Sequence, residues 1–145
     1  RFEGFCLAMK EGGINVDHNY EYRFEGDFTE ESGFNGVVHM INHFNQKPTA
    51  ILCTNNAMLI GALKALHKYH ISIPEQISIV GFNGIDNLEL MNIRPTVANF
   101  DPYQIGSAAG KFLLERIQNL NIENREAIFD PTLINGNATS FPRIF

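Results

Sequence analysis

Two short apolar segments of the chain, residues 49–53 and 77–82, are each followed by asparagine. Asn55 and Asn56 come after the first segment, and Asn83 follows the second. A side-chain amide both donates and accepts hydrogen bonds, so these residues could bind the hydroxyl groups of a small polar ligand. Helix caps and turns also favour asparagine for purely local reasons, and the residue types alone leave this alternative open.

Residues 48–84 predict a strand, a helix and a second strand. Both apolar segments lack alternation, which is typical of strands that crossover helices bury on both faces. Between them, small and apolar residues recur at helical spacing until Pro74 ends the pattern. A right-handed crossover makes the two strands parallel, and ligands of parallel sheets bind beyond the carboxyl ends of the strands. We therefore expect Asn55, Asn56 and Asn83 on one rim of the sheet.

The rest of the chain also alternates between helical and strand patterns. Asp27 and Thr29 are candidate caps for one helix, and Pro102 suits the first turn of another. Pro131 confines the last strand to an edge or a bulge. The order predicts an α/β fold, a parallel sheet with helices on both faces. The patterns place further helices at residues 1–10, 30–44 and 102–119, and further strands at 20–25, 96–99 and 126–133.

Length, charge and cysteine content limit the class of protein. The 145 residues suffice for one hydrophobic core, and no apolar run approaches the roughly 20 residues that span a bilayer, so no membrane partner is expected. A net charge of −5 argues against DNA contact by these residues. Cys6 and Cys53 are expected to be small core residues, which favours the cytoplasm. Because the chain opens at Arg1 without methionine, we expect it to be part of a longer protein.

The sequence lacks the specific signals of the common enzyme classes. There is no nucleophile elbow G-x-S-x-G, no phosphate-binding G-x-x-x-x-G-K-[ST], and no G-x-G-x-x-G after a strand. A binding module without a cofactor is therefore favoured over an enzyme. Two histidine pairs have spacings that could hold a metal on a helix face, but no further ligand completes them. These pairs are His39 with His43 and His67 with His70.

Several segments in order resemble the LacI/GalR family of transcriptional regulators. They are the opening R-F-E-G-F, GDFTEESGF at residues 26–34, the strand–helix–strand segment at 48–84, and PTVANFDPYQIGSAAGKFLLERI at 95–117. The match covers nearly the whole chain, and the order and spacing of its motifs are specific. The resemblance implies the effector-binding region of a regulator, with the type I fold of periplasmic sugar-binding proteins.

The same resemblance implies a set of effector contacts. The planar Phe28 ring would cover the apolar side of a sugar or nucleobase, while Arg1 and the amides of Asn55 and Asn83 would bind its polar groups. Asn56 would then be the helix cap, and the alternative for Phe28 is a core residue that staples a helix start. The implied contacts are Arg1 in R-x-x-G-F, Phe28 after Gly26-Asp27, Asn55 in T-N-N, Asn83 after G-F, and Phe100 before Asp101-Pro102.

Two positions depart from the usual family pattern. Asn83 and Asn56 stand where the family usually has aspartate, so the rim lacks two negative charges. An amide cannot match the charge-assisted hydrogen bonds of a carboxylate to hydroxyl groups, but it tolerates an anion better. The hypothesis that follows is an anionic effector such as a sugar phosphate.

The resemblance also implies that the chain is one half of a ligand clamp. Residues 1–99 and 130–145 would form mainly the C-terminal subdomain, and residues 100–129 would belong to an N-terminal subdomain that is otherwise missing. The apolar stripe of the helix at 102–119 would then be exposed, which promotes association. The family forms homodimers through surfaces that match the helix after Asn56 and the loop near residues 88–93. DNA would be bound only by a domain outside this chain.

Three functions from different classes follow. The leading one is the effector-binding and dimerisation part of a bacterial regulator, whose small ligand changes DNA affinity. The second is a sugar-binding protein of an extracytoplasmic transport system, which shares the fold. An upstream helix-turn-helix would favour the first, and an upstream signal peptide or lipid-attachment cysteine the second. The third, a small flavodoxin-like enzyme, would need a phosphate loop or catalytic pair.

Overall fold

A computed structural model describes residues 1–16, 21–85 and 92–141 of the chain. Over these ranges helices and strands alternate in nearly the order that the sequence predicts. Of the helices in these ranges, none has the length and apolar character that a bilayer crossing requires. The helices are α1 (Phe2–Glu11), α2 (Glu30–His43), α3 (Asn56–Lys68) and α4 (Pro102–Gln118), and the strands are β1 (Ala50–Cys53), β2 (Ser78–Phe82), β3 (Thr96–Asn99) and β4 (Thr132–Ile134).

The four described strands form one sheet in the order β1-β2-β3-β4. β1, β2 and β3 are parallel, so the predicted crossover at residues 48–84 is confirmed. β4 runs antiparallel to β3, with Asn99 paired to Thr132, which makes the sheet mixed rather than purely parallel. β4 lies at an edge directly after Pro131, as expected, but it is shorter than the predicted strand at residues 126–133. The α/β fold class is confirmed.

The core lies between the sheet and α3. Cys53, Gly81 and Val97 are register partners on neighbouring strands, and all three are buried. Leu59 of α3 packs onto this row, since a Cβ built on Gly81 would lie 2.7 Å from its Cδ2 atom. The expectation that β1 is buried on both faces is wrong, because Leu52 remains 37% exposed. Among the described strands only β2 pairs with β1, which is therefore an edge strand.

The predicted strand at residues 20–25 is wrong over residues 21–25, which form no strand, and Tyr20 lies outside the described residues. The alternating aromatic side chains pack on the end of α2 instead. The ring centroid of Tyr22 lies 4.6 Å from that of Phe44, and Phe24 lies 5.7 Å from His39. A period of two therefore reflects here a non-strand segment packed on a helix rather than a strand in the sheet.

α4 extends from the sheet without burying any of its residues. Its apolar stripe is open to solvent, with Ile105 41%, Leu113 61% and Ile117 64% exposed. A 17-residue helix with no buried residue would be marginal in water, because most helix stability comes from packing of an apolar face. The exposed stripe that the sequence predicted is thus present.

Candidate functional site

The carboxyl ends of the three parallel strands meet at one rim. Asn55 lies two residues beyond the end of β1, Asn83 directly follows β2, and Phe100 directly follows β3. Arg1 and Phe28 reach the same rim from outside the sheet through the contacts described below. The structure therefore brings together all five residues that the resemblance singled out.

Arg1 lies between the ends of β1 and β2. One guanidinium N–H donates to the backbone oxygen of Thr54, and the guanidinium carbon lies 5.0 Å from the ring centroid of Phe82. A guanidinium has five N–H donors, and the bond to Thr54 uses one of them. Arg1 thus brings a fixed positive charge to the rim. Sequence reasoning assigned no role to the Thr54 carbonyl or the Phe82 ring, because contacts across more than 50 residues leave no local pattern.

Asn55 is the N-cap of α3. Its Oδ1 atom accepts a hydrogen bond from the backbone N–H of Met58 at 2.7 Å. Its Nδ2 atom donates to the backbone oxygen of Phe28 at 3.0 Å. The expectation that Asn56 is the cap is therefore wrong. A cap residue needs an extended backbone, and Asn55 has one, with φ −153° and ψ 169°. Asn56 is the first residue of the helix, and its side-chain oxygen accepts from the N–H of the next residue, Ala57.

Phe28 presents its ring to solvent. The residue has a left-handed backbone with φ +66°, and its side chain is 65% exposed, which excludes the alternative of a core staple. The neighbouring carboxylate of Asp27 accepts from the backbone N–H of Thr29 at 3.2 Å and from its hydroxyl at 2.6 Å. The Thr29 hydroxyl lowers the pKa of Asp27. Thr29 in turn caps α2 by accepting from the N–H of Ser32 at 3.1 Å.

Asn83 also has a left-handed backbone, with φ +59°, a conformation that asparagine tolerates better than most residues. Its backbone N–H donates to the oxygen of Ala98 at 2.9 Å. Its Oδ1 atom is buried, and among the described residues no donor meets it. Next to it, the N–H of Gly84 donates to Oδ1 of Asn99 at 3.0 Å. Asn99 was overlooked at the sequence level, although an amide that ends a third parallel strand is a signal for this rim.

Phe100 marks the point where the chain leaves the sheet. It is partly buried and lies between Asn99 and the cap of α4. That cap is Asp101, whose carboxylate accepts from the backbone N–H groups of Tyr103 at 2.9 Å and Gln104 at 3.3 Å. Both acidic side chains next to the predicted contacts, Asp27 and Asp101, are therefore engaged in local hydrogen bonds.

None of the five predicted contacts lines the described surface hollows. A hollow of about 590 Å³ lies beside α3, and a smaller one lies near the end of α4. Within the described ranges, no three histidine, cysteine, aspartate or glutamate side chains form a group that could hold a metal. His39 and His43 stack on each other, with ring centroids 4.2 Å apart. The rim thus lies outside both of these hollows.

A family model and two curated relatives assign the chain to the same kind of protein. A family model described as a periplasmic binding protein-like domain matches residues 1–139. The transcriptional repressor CytR of Escherichia coli K12 is 32% identical over 143 residues, covering 98% of this chain and 41% of CytR. The repressor PurR of Klebsiella pneumoniae is 31% identical over 134 residues, covering 92% and 38%. The chain thus spans about two fifths of the length of these relatives.

A solved structure gives the same result for the fold. The crystal structure of a LacI-type transcription regulator from Bifidobacterium animalis subsp. lactis superposes with a TM-score of 0.85 at 30% sequence identity. The match covers 97% of this chain and 50% of that chain.

Proposed function

Since the chain belongs to the periplasmic binding protein-like domain family and resembles the effector-binding domain of LacI-type regulators, we propose that the whole protein is such a regulator. In this proposal the present chain binds the effector and holds two subunits together. The relatives in question are transcriptional repressors, not enzymes. Binding of the effector changes how tightly a second domain, outside this chain, binds DNA. The protein acts in the cytoplasm, because bacterial DNA lies there.

The proposed effector is a sugar or a sugar derivative bound at the rim of Arg1, Phe28, Asn55, Asn83 and Phe100. The observation that carries this is the buried Oδ1 atom of Asn83, which lacks a donor among the described residues. A buried acceptor left unpaired costs about 1–3 kcal/mol, and a ligand hydroxyl or N–H would remove that cost. The exposed ring of Phe28, whose backbone is bound to Asn55, offers an apolar face, and the guanidinium of Arg1 offers further donors.

Charge supports a phosphorylated sugar as the first candidate. Asn55, Asn56 and Asn83 are neutral. The nearby carboxylates of Asp27 and Asp101 are negatively charged, but both are turned towards local backbone N–H groups. Arg1 is positively charged at the same rim, so an anionic ligand would gain a charge-assisted hydrogen bond there.

The proposed dimer uses the surface beside α3. The hollow there is lined by apolar Leu63, Ile71, Ile73 and Ile93, with His67 at its border. Exposed apolar surface rimmed by polar residues is typical of protein interfaces. The residues 88–91 of the implied dimer loop lie outside the described ranges, while Asn92 and Ile93 line the hollow.

The proposed division into subdomains assigns residues 1–99 and 130–145 to one half of the clamp and residues 100–129 to the other. The exposed stripe of α4 supports this, because a helix with no buried residue needs further chain to cover it. The half-length match to the Bifidobacterium regulator fits the same division.

Isothermal titration of the full-length protein tests the proposed site. The probes are D-ribose, D-ribose 5-phosphate and adenosine, and we expect the phosphorylated sugar to bind more tightly than the plain one. The variant Asn83→Gly keeps the left-handed backbone but removes the amide, and it should weaken binding at least tenfold. The matched control is Asn15→Gly in an exposed loop, which should leave affinity unchanged. Stronger binding of plain ribose would contradict the anionic ligand, and unaltered affinity of Asn83→Gly would contradict the site.

A further inference from the structure

We infer that Asn55 is a positioning residue, which sets effector affinity by holding Phe28 in place. This inference rests on the proposed effector site. It assigns separate roles to the two ends of one amide. The Oδ1 atom caps the start of α3 by accepting from the N–H of Met58, and the Nδ2 atom donates to the backbone oxygen of Phe28.

The geometry engages the amide at both ends, with one of its two Nδ2 N–H groups in use. Oδ1 lies 2.7 Å from the N–H nitrogen of Met58, and Nδ2 lies 3.0 Å from the oxygen of Phe28. Both distances are those of ordinary hydrogen bonds. A side chain that bonds in two directions inside the protein has a fixed orientation. Asn55 therefore joins two parts of the chain that lie 27 residues apart.

Phe28 needs such a tether because its backbone is in the left-handed region at φ +66°. An aromatic residue rarely adopts that region, since its Cβ then crowds the following carbonyl oxygen, and it stays there only when its surroundings require it. The preceding turn is also packed against α3. A Cβ on Gly26 would lie 2.5 Å from Cε of Met58 and 2.8 Å from Oγ of Ser32.

The tether determines where the Phe28 ring stands. The ring is 65% exposed, so no core packing fixes its direction. If the bond to Nδ2 is lost, the backbone can return to negative φ, and the ring then moves away from the rim. Binding of the effector would then have to return Phe28 to its left-handed conformation, and the free energy that this costs would weaken the affinity.

Two substitutions separate the roles of the amide in the full-length protein. Asn55→Ser and Asn55→Asp both keep a side-chain oxygen that can cap α3. The carboxylate of Asp has no donor for Phe28, and the hydroxyl of Ser is one bond shorter than the amide and does not reach the Phe28 oxygen. With D-ribose 5-phosphate, D-ribose and adenosine as probes, we expect affinity to fall about three- to tenfold while the thermal midpoint stays near that of the wild type. The matched control is Asn56→Ser, which changes the neighbouring amide that bonds only to Ala57.

A double-mutant cycle decides whether Asn55 acts through Phe28. In the background of Phe28→Ala, which removes the ring, Asn55→Ser should change affinity by less than twofold. If the two single effects multiply instead, Asn55 contacts the effector independently, and the inference is overturned although the proposed site stands.

A measurement without ligand tests the tether itself. In ¹H–¹⁵N spectra of the wild type, the Nδ2 proton of Asn55 that faces Phe28 should exchange slowly with water, and Asn55→Ser should shift the backbone resonance of Phe28. Fast exchange of both Nδ2 protons would overturn the inference whether or not any probe binds. Failure of all three probes to bind, with slow exchange observed, would count against the proposed effector class alone and would support the tether.

Discussion

Gly61 of α3 lies directly against Phe34 of α2, so that a Cβ atom built on Gly61 would be 2.8 Å from the backbone nitrogen of Phe34. One turn away, a Cβ on Gly33 of α2 would lie 2.6 Å from the Cα atom of Met58. Each helix thus presents a glycine to the backbone of the other. This close crossing joins α2, which follows Phe28, to α3, which begins at Asn55, and so holds two sides of the rim together.

Replacing Gly61 by alanine should destabilise the protein. Alanine favours a helix by about 1 kcal/mol over glycine, but the new methyl group meets backbone atoms that cannot rotate away. We expect the free energy of unfolding to fall by about 2 kcal/mol or more, measured by urea denaturation. Gly4→Ala in α1 is the matched control, because nothing lies within 4 Å of its Cβ position, and it should be neutral or stabilising. Equal effects at the two positions would show that α2 and α3 do not cross so closely.

Truncation of Leu59 should be the more costly of two leucine substitutions. Leu59 is fully buried against Gly81, and Leu59→Ala would leave a cavity between α3 and the sheet, lowering the unfolding free energy by about 2–5 kcal/mol. Leu113→Ala removes the same atoms from a side chain that is 61% exposed and should cost far less. Denaturant midpoints compare the two, and a similar loss for Leu113→Ala would mean that α4 is covered in solution.

The Cys53 thiol should be protected in the folded protein. Burial raises its pKa from 9.0 to about 12, so the reactive thiolate is suppressed. Cys6 is partly exposed, and a thiol reagent at pH 8 should therefore modify one cysteine in the native protein and two after unfolding. Rapid modification of both in the native state would contradict the burial of the Cys53 side chain.

The same shift makes stability depend on pH in the alkaline range. The folded-state pKa is the higher one, so the contribution of this group is complete below pH 9.0 and is lost as pH rises towards about 12. Between these values the unfolded chain releases a proton that the folded chain keeps. We expect the unfolding free energy of Cys53→Ala to fall less steeply over this range than that of the wild type, in parallel denaturation series. Identical slopes would argue against a buried thiol.

A negative charge beside α3 should weaken the proposed dimer. His67 borders the hollow next to α3 and is exposed, so His67→Glu should leave the fold intact. In a two-fold symmetric interface the charge is introduced twice, and we expect the dimer dissociation constant to rise at least tenfold. Light scattering across the micromolar range measures this. His43→Glu, in the last turn of α2, is the matched control and should dimerise like the wild type. A wild-type monomer throughout that range would contradict the dimer.

The rim could be located from sequence because its signals are local. Apolar runs predict strands, and the asparagine that follows each run lies at a carboxyl end once the strands are parallel, as β1 and β2 are. The LacI-type resemblance, carried by the order of four segments, is confirmed by the periplasmic binding protein-like family match together with the similarity to the repressor CytR and to the LacI-type regulator of Bifidobacterium animalis. By contrast, the alternation at residues 21–25 led to a wrong strand prediction. An alternating pattern indicates that every second side chain packs against a neighbouring element, but it does not distinguish a segment paired in a sheet from one packed against the helix α2.

The sequence by itself therefore determined the α/β class, the crossover at residues 48–84 and the location of Asn55 and Asn83 at the rim, where the parallel strands end. Only the tertiary structure decided what each amide binds. Asn55 rather than Asn56 caps α3, and it also holds Phe28. Hydrophobic period and turn propensity act over a few residues, whereas the bonds from Asn55 to Phe28 and from Arg1 to Thr54 span 27 and 53 residues and exist only after the chain has folded.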